Sequence, residues 1–299
     1  MSLLEVEGLS HSFGENTLYR NASFTLNKGE HIGIVGQNGT GKSTLIKICT
    51  EKIIPDHGRI IWQPDITIGY LDQYAEIDRT VTMKDFLKSA FAKLFEMEAQ
   101  TIQLYEKAAE GDLRSMELAA RYQEQLETHD FYSIDTAIER VANGLGLLAI
   151  GLERSIAEMS GGQRAKVILA KLLLEKPDVL LLDEPTNFLD IASLEALETL
   201  MKSYHGTILF VTHDRMLVKN IATKIIDIKD GKITVFDGSY EAYEEWLENQ
   251  TKSNNADQLL LIETKISDVL GRLSLEPSQE LEDEFQRLLK EKKELTRGK

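Results

Sequence analysis

Short, almost wholly apolar runs recur along the chain at residues 31–35, 179–182 and 207–211. Each is followed directly by glycine or a polar residue. A continuous apolar run indicates a strand that is buried on both faces, which is typical of the central strands of a parallel sheet. Open α/β sheets bind ligands at the carboxyl ends of such strands. The pattern therefore predicts an α/β domain with a candidate site at the ends of these runs.

Other segments carry strand patterns with turns between them. Residues 3–26 alternate apolar and polar side chains on either side of a turn at 14–16, and Asp230-Gly231 is typical of a hairpin. We expect further strands at 59–62, 67–71, 225–228 and 232–236.

Helical spacing dominates two other regions. Residues 83–128 predict a helical hairpin inserted in the α/β domain, with a break at Gly111-Asp112. This insertion is net acidic, which makes it a poor candidate for wrapping RNA unaided. A polar composition predicts a linker over 247–258, after a domain spanning 1–246, and residues 259–299 predict two helices of a coiled-coil-like tail, separated at Pro277.

Residues 36–44 read GQNGTGKST and fit the pattern G-x-x-x-x-G-K-[ST] between a predicted strand and a predicted helix. Glycines let backbone N–H groups turn toward phosphate oxygens, and the N-terminus of the following helix adds to the attraction. Lys42 can reach the terminal phosphates, and the Ser43 hydroxyl can hold Mg²⁺. We expect a nucleoside triphosphate to be bound by Gly36, Asn38, Gly39, Thr40, Gly41, Lys42, Ser43 and Thr44.

Polar groups end the other two apolar runs. Asp183 and Glu184 follow residues 179–182, and adjacent carboxylates at the tip of a buried strand are costly unless they meet a cation or perform chemistry. His213 follows residues 207–211. Taken alone, a histidine at a strand end is more often structural, but here it joins other polar groups at one edge.

Three further positions are ambiguous when taken one at a time. Ser160 precedes two glycines at a predicted helix start, which suits either a phosphate or a plain N-cap. Phe13 precedes a turn, where it can stack on a nucleobase or simply close a strand. Gln73 is an unremarkable amide at the end of a strand.

Composition narrows the class of protein. The 299 residues carry a formal charge of −15, which argues against nucleic-acid binding through broad phosphate neutralisation. No apolar run is long enough to cross a bilayer and the start lacks a secretory pattern, so we expect a cytoplasmic protein without membrane insertion. The single cysteine, Cys49, excludes an intramolecular disulfide and is expected to pack in the core.

The order of these motifs resembles that of the ATP-binding cassette (ABC) ATPases over roughly residues 3–246. The resemblance implies a P-loop fold with an antiparallel β subdomain and a helical signature subdomain. It implies that Phe13 stacks on adenine, that Gln73 joins Ser43 and Asp183 at Mg²⁺, and that Asp190 belongs to the D-loop. Glu184 would polarise the attacking water and His213 would contact the γ-phosphate, which makes Glu184, His213 and Lys42 the catalytic candidates. The signature would comprise Ser160, Gly161, Gly162 and Gln163 and act on ATP held by a second cassette.

Finer features are similar to the ABC-F subfamily, whose members act on ribosomes. These features are DEPTNFLD at 183–190, FVTHDR at 210–215, GSYEAY at 238–243 and the insertion before Ser160, which would be the subfamily's arm. The resemblance implies a translation factor or an antibiotic-resistance protein. Typical members join two cassettes, whereas this chain has one, so it is a half-size member that dimerises, part of a two-cassette protein, or a fusion of parts. The alternatives are the ATP-hydrolysing subunit of a transporter and a non-enzymatic nucleotide-dependent scaffold.

Overall fold

A computed structural model describes residues 1–71, 80–187, 189–275 and 278–297 of the chain. The chain divides into two compact units, Met1–Tyr240 and Glu241–Lys299. All of the predicted site residues belong to the first unit.

The first unit is built on a 6-stranded sheet with the order β5-β6-β7-β3-β8-β9. Its strands from β5 to β8 are parallel, and β9 closes the sheet as the antiparallel partner of β8. Every residue of β6 and β7 is buried, as the apolar runs predict. The strands are β3 (His31–Gly36), β5 (Ile68–Leu71), β6 (Val179–Asp183), β7 (Thr207–Val211), β8 (Lys224–Lys229) and β9 (Lys232–Asp237).

A 3-stranded antiparallel sheet with the order β2-β1-β4 covers this sheet. It contains β1 (Ser2–Phe13), β2 (Asn16–Asn27) and β4 (His57–Trp62). Alternate residues of β1 and β2 are buried, and they share one apolar core with β3, β6, β7 and the helix α1 (Lys42–Cys49). Cys49 lies in this core, as predicted. The shared core fixes the helix after the phosphate loop between the two sheets.

Further helices of this unit surround the sheets, and three of them begin at a polar side chain that caps the first turn. Besides α1 they are α5 (Ile134–Gly144), α6 (Gly161–Glu175), α7 (Ile191–Lys202) and α8 (Arg215–Ile221). Ser160, Asp190 and Asp214 cap α6, α7 and α8 through side-chain oxygens.

The inserted region contains α2 (Met83–Lys88), α3 (Ala92–Ala109) and α4 (Leu113–Thr128). The hairpin between α3 and α4 turns at Gly111, whose φ of 104° favours glycine, and Asp112 caps α4. A β-bridge between Thr82 and Ser155 closes the base of the insertion.

The second unit begins within α9 (Tyr240–Leu275) and continues through α10 (Gln279–Arg297). An ion pair of 2.7 Å between Lys292 Nζ and Glu263 Oε1 joins the two helices. The expected linker over 247–258 is helical instead, and the unit boundary lies at Tyr240 rather than at residue 246. Polar residues favour solvent but do not stop a helix, and neither Gly nor Pro interrupts residues 240–270. No helix in the described ranges is long and apolar enough to cross a membrane.

Candidate active site

Three neighbouring strands bring the phosphate loop, the Asp183–Glu184 pair and His213 to one sheet edge. β6, β7 and β3 are adjacent and parallel, so their carboxyl ends meet. The chain after β6 is tied to β7 because the Glu184 N–H donates to the Val211 carbonyl at 2.9 Å. A bond of 3.1 Å between the Thr186 and Thr212 hydroxyls joins the two loops once more.

The loop at 36–44 depends on its glycines. Gly36, Gly39 and Gly41 have φ of 145°, 81° and 102°, which only glycine adopts readily. A Cβ on Gly36 would lie 2.5 Å from the Ile228 carbonyl oxygen. The Lys42 ammonium donates to the carbonyls of Gly36 and Gln37 at 3.0 and 3.1 Å. Lys42 is thereby held beneath the loop, with Asn38 and Gly39 exposed and Thr40 and Thr44 half-buried.

Ser43 and Asp183 are brought together from α1 and β6. The Ser43 hydroxyl donates to Asp183 Oδ1 at 2.8 Å, and Asp183 is nearly fully buried. Oxygen donors of this kind suit Mg²⁺, which binds one or two protein oxygens and completes its shell with waters and phosphates. Gln73, the third predicted ligand, lies outside the described residues. The donor pair therefore fits the ion that the sequence predicts.

Glu184 and His213 form a second pair at this edge. His213 Nε2 lies 3.0 Å from Glu184 Oε1, whereas Glu184 Oε2 is buried with no hydrogen-bond partner among the described residues. Burial raises the pKa of Glu184 above its ordinary value, and the nearby His213 opposes this in part. Glu184 also has a φ of 51°, a strained conformation for a residue with a side chain. A buried carboxylate oxygen without a partner is costly, which indicates a functional position.

Phe13 and the glycine-rich segment at 160–163 occupy the ends of other elements. Phe13 ends β1 with 54% of its surface exposed, and its ring meets the edge of His11 at 4.8 Å. Ser160 Oγ accepts from the Gln163 N–H at 3.2 Å, and Gln163 Oε1 accepts from the Ser160 N–H at 2.9 Å. This is a complete capping box at the start of α6, with Gly161 and Gly162 in its first turn.

The sequence profile of the ABC transporter family matches residues 19–187. This chain belongs to the ABC family of ATP-binding cassettes. The match covers the phosphate loop, the signature segment and the Asp183–Glu184 pair in one continuous region.

Curated relatives show where within the ABC family this chain belongs. The cassette is 42% identical over 249 residues to an uncharacterised ABC transporter ATP-binding protein, YfmM, of Bacillus subtilis, covering 82% of this chain and 48% of the relative. It is 36% identical over 236 residues to the energy-dependent translational throttle protein EttA of Escherichia coli, covering 78% and 42%. The chain thus spans less than half the length of these relatives, and it resembles the ABC-F subfamily.

A solved structure shows the same fold. The ATP-binding subunit of an ABC transporter matches with a TM-score of 0.61 and 20% identity, covering 83% of this chain and 94% of the other. The P-loop cassette fold predicted from the sequence is confirmed.

The structure also shows a contact that the sequence alone did not suggest. The Tyr19 hydroxyl, fully buried on β2, donates to the Gly41 carbonyl at the start of α1. A Cβ on Gly41 would lie 2.6 Å from that hydroxyl oxygen. Burial raises the pKa of Tyr19, which keeps the hydroxyl protonated as a donor. A tyrosine at a buried strand position needs a partner for its hydroxyl, and this was the available signal.

A cavity lies beside Glu184. It is lined by one side of α6, by the end of β5 and by the chain that follows β6. The lining residues are Leu71, Ala165, Lys166, Leu169, Glu184, Pro185 and Leu189.

Proposed function

We propose that this cassette binds Mg-ATP at the ends of β3, β6 and β7 and hydrolyses it to ADP and phosphate. The observation that carries the proposal is Glu184. Its carboxylate is paired with His213 through one oxygen and unpartnered through the other among the described residues, and it directly follows the Asp183 that accepts from Ser43. A base, a cation site and a phosphate loop at one edge are what phosphoryl transfer requires.

The residues around the phosphates have distinct tasks in this proposal. Backbone N–H groups of the loop at 36–44 and the Lys42 ammonium bind phosphate oxygens, and Phe13 stacks on the base. Ser43, Asp183 and Gln73 hold Mg²⁺ directly or through water. The ion, when bound, neutralises charge on the phosphates.

The chemical step is assigned to Glu184. Its carboxylate accepts a proton from water while the water oxygen bonds to the γ-phosphorus, and the bond from that phosphorus to the bridging β–γ oxygen breaks. His213 holds the carboxylate through one oxygen and leaves the other for water.

A second cassette completes the site in this proposal. By family resemblance, the segment 160–163 acts on the nucleotide of another cassette, either a second copy or a further part of a longer protein. Relatives more than twice as long as the matched region support the second arrangement. Closure on ATP and opening after hydrolysis would supply the conformational output.

The cellular role that we propose is in translation, at the ribosome, in the cytoplasm. It is supported by the likeness to a relative named as a translational throttle and by the inserted α3–α4 hairpin. A transporter subunit is the second candidate, because another relative is named as an ABC transporter ATP-binding protein.

Hydrolysis is tested with Glu184→Gln, which keeps the size of the side chain but removes its basicity. We expect ATP binding to persist and the turnover rate to fall by about 10²- to 10⁴-fold. Glu198→Gln, which alters a carboxylate on α7 that is paired with Lys202, is the control and should hydrolyse ATP normally. Equal turnover in both variants would refute the role of Glu184.

The cellular role is tested by centrifugation of lysates that contain the Glu184→Gln variant and ATP. Co-sedimentation with ribosomes would support the translation role. Recovery with membranes and absence from ribosome fractions would instead favour the transporter subunit.

A further inference from the structure

Lys166 lies in the second turn of α6, beyond the residues that resemble the ABC signature. Its side chain is only 12% exposed. The ammonium lies 3.1 Å from Asp190 Oδ2 and donates to the Ser193 hydroxyl at 2.8 Å. Lys166 therefore connects the signature helix to the N-terminus of α7.

Both partners of Lys166 are themselves held in place. Asp190 Oδ1 accepts from the Ser193 N–H at 2.8 Å and caps α7. The buried Ser193 hydroxyl donates to the carbonyl of Leu145, at the end of α5, at 3.2 Å. Bonds from Ser193 and then Lys166 lower the pKa of Asp190 to about 2, so the carboxylate is charged at neutral pH. The network joins α5, α6 and α7.

Backbone hydrogen bonds among the described residues between Glu184 and Asp190 link the position of Glu184 to that of Asp190. The Asn187 N–H donates to the Glu184 carbonyl at 3.3 Å, and the Leu189 N–H donates to the Thr186 carbonyl at 3.1 Å. Lys166 lines the same cavity as Glu184 and Leu189. Glu184, the proposed base, lies at one end of these bonded residues, and Lys166 holds Asp190 at the other end.

We propose that Lys166 is a positioning residue that fixes Asp190 and the start of α7 against the signature helix. It thereby couples the placement of Glu184 at the cassette's own nucleotide to that of Ser160, which serves the nucleotide of a second cassette. The inference rests on the proposed ATPase function.

An ordinary surface ion pair would not have this effect. Lys202 and Glu198 on α7 are such a pair, at 2.6 Å, with half of the Lys202 side chain exposed. Exposed pairs contribute little because water screens them. Lys166 differs because its own side chain is largely buried and because it bonds to two groups from another element, the exposed Asp190 carboxylate and the buried Ser193 hydroxyl. Lys202→Met is therefore a matched control for loss of a lysine charge.

The first test measures the segment itself, by hydrogen exchange of the full chain. In Lys166→Met we expect amides of residues 186–195 to exchange about tenfold faster, because the bonds that hold this segment are lost. Lys202→Met should leave that segment unchanged, and Lys166→Arg should restore protection. Unchanged exchange in Lys166→Met would overturn the inference whether or not the chain hydrolyses ATP.

The second test separates ATP binding from turnover. We expect Lys166→Met to lower kcat by about tenfold with KM and ATP affinity within about twofold of the unaltered chain, and Lys166→Arg to recover most of the loss. A purely structural role would lower the active fraction and accelerate exchange throughout the chain rather than in residues 186–195 alone. A normal kcat in Lys166→Met would overturn the coupling.

Asp190→Asn keeps a competent N-cap but removes the charge, so it tests the network even if Lys166→Met does not fold. We expect Asp190→Asn to lower kcat, as Lys166→Met does. The double variant of Lys166→Met and Asp190→Asn should lose little further activity. Additive effects would show that the two residues act separately.

An unaltered chain that hydrolyses no ATP would refute the proposed function, whereas an active chain insensitive to Lys166→Met would refute only this inference.

Discussion

The phosphate loop and the signature segment are both glycine-rich starts of helices, yet the structure builds them differently. At α1 the N-cap is Gly41, with no side-chain cap, so the first N–H groups are left for a ligand. At α6, Ser160 and Gln163 cap each other within the chain. The start of α1 therefore leaves N–H groups for an anion, whereas the start of α6 is capped by side chains of the chain itself.

The backbone reinforces this difference. Glycines in the phosphate loop adopt φ values that other residues avoid, and Gly36 lies against the Ile228 backbone. A Cβ added to Gly161 would meet no other atom within 4 Å, and the residue has ordinary helical backbone. The loop at 36–44 is thus constrained from within, while the signature segment presents small residues to its surroundings.

The largest expected effect is on the free energy of unfolding, which should respond differently to substitution in the two segments. Gly36→Ala would force a positive φ on alanine and press its Cβ on a carbonyl, so we expect a loss of about 2–5 kcal/mol in the free energy of unfolding. Gly161→Ala should change it by less than about 0.5 kcal/mol. Chemical denaturation of both variants measures the difference, and equal stabilities would show that the contrast is wrong.

A smaller effect is expected from Ser160→Ala. Losing the N-cap should cost about 1 kcal/mol of stability. Affinity of the lone chain for ATP should stay unchanged, because we assign Ser160 to another cassette's nucleotide. Fluorescent nucleotide titration and thermal unfolding would check both statements, and a large loss of ATP affinity would place Ser160 in its own chain's site.

An effect of comparable size is expected from Tyr19→Phe. The variant keeps the ring but leaves the Gly41 carbonyl without the donated bond. We therefore expect the free energy of ATP binding to become less favourable by about 0.5–1.5 kcal/mol. Tyr204→Phe removes another tyrosine hydroxyl bond, to the Pro177 carbonyl, and should spare ATP affinity. Similar ATP affinities for Tyr19→Phe and the unaltered chain would contradict a role for Tyr19 at the loop.

Local patterns predicted much of the fold and the candidate site. The apolar runs of β6 and β7 and the glycines after β3 are signals contained within a few residues, so their strands and turns followed from the sequence. Composition was misleading at 247–258, because polar residues there are compatible with a long helix. The contact from Tyr19 to Gly41 spans 22 residues and that from Lys166 to Asp190 spans 24. Such pairs arise from packing between elements, which periodicity does not encode.

The most direct test of a site shared between two cassettes is light scattering of the Glu184→Gln variant with and without Mg-ATP, alongside turnover of the unaltered chain at several protein concentrations. If the start of α1 binds the chain's own nucleotide and the start of α6 binds the nucleotide of a second copy, ATP should convert monomers to dimers. Turnover per molecule should then rise with protein concentration. A chain that stays monomeric in saturating ATP, with turnover per molecule independent of concentration, would contradict a site shared between two copies of this chain and would leave another cassette as the partner.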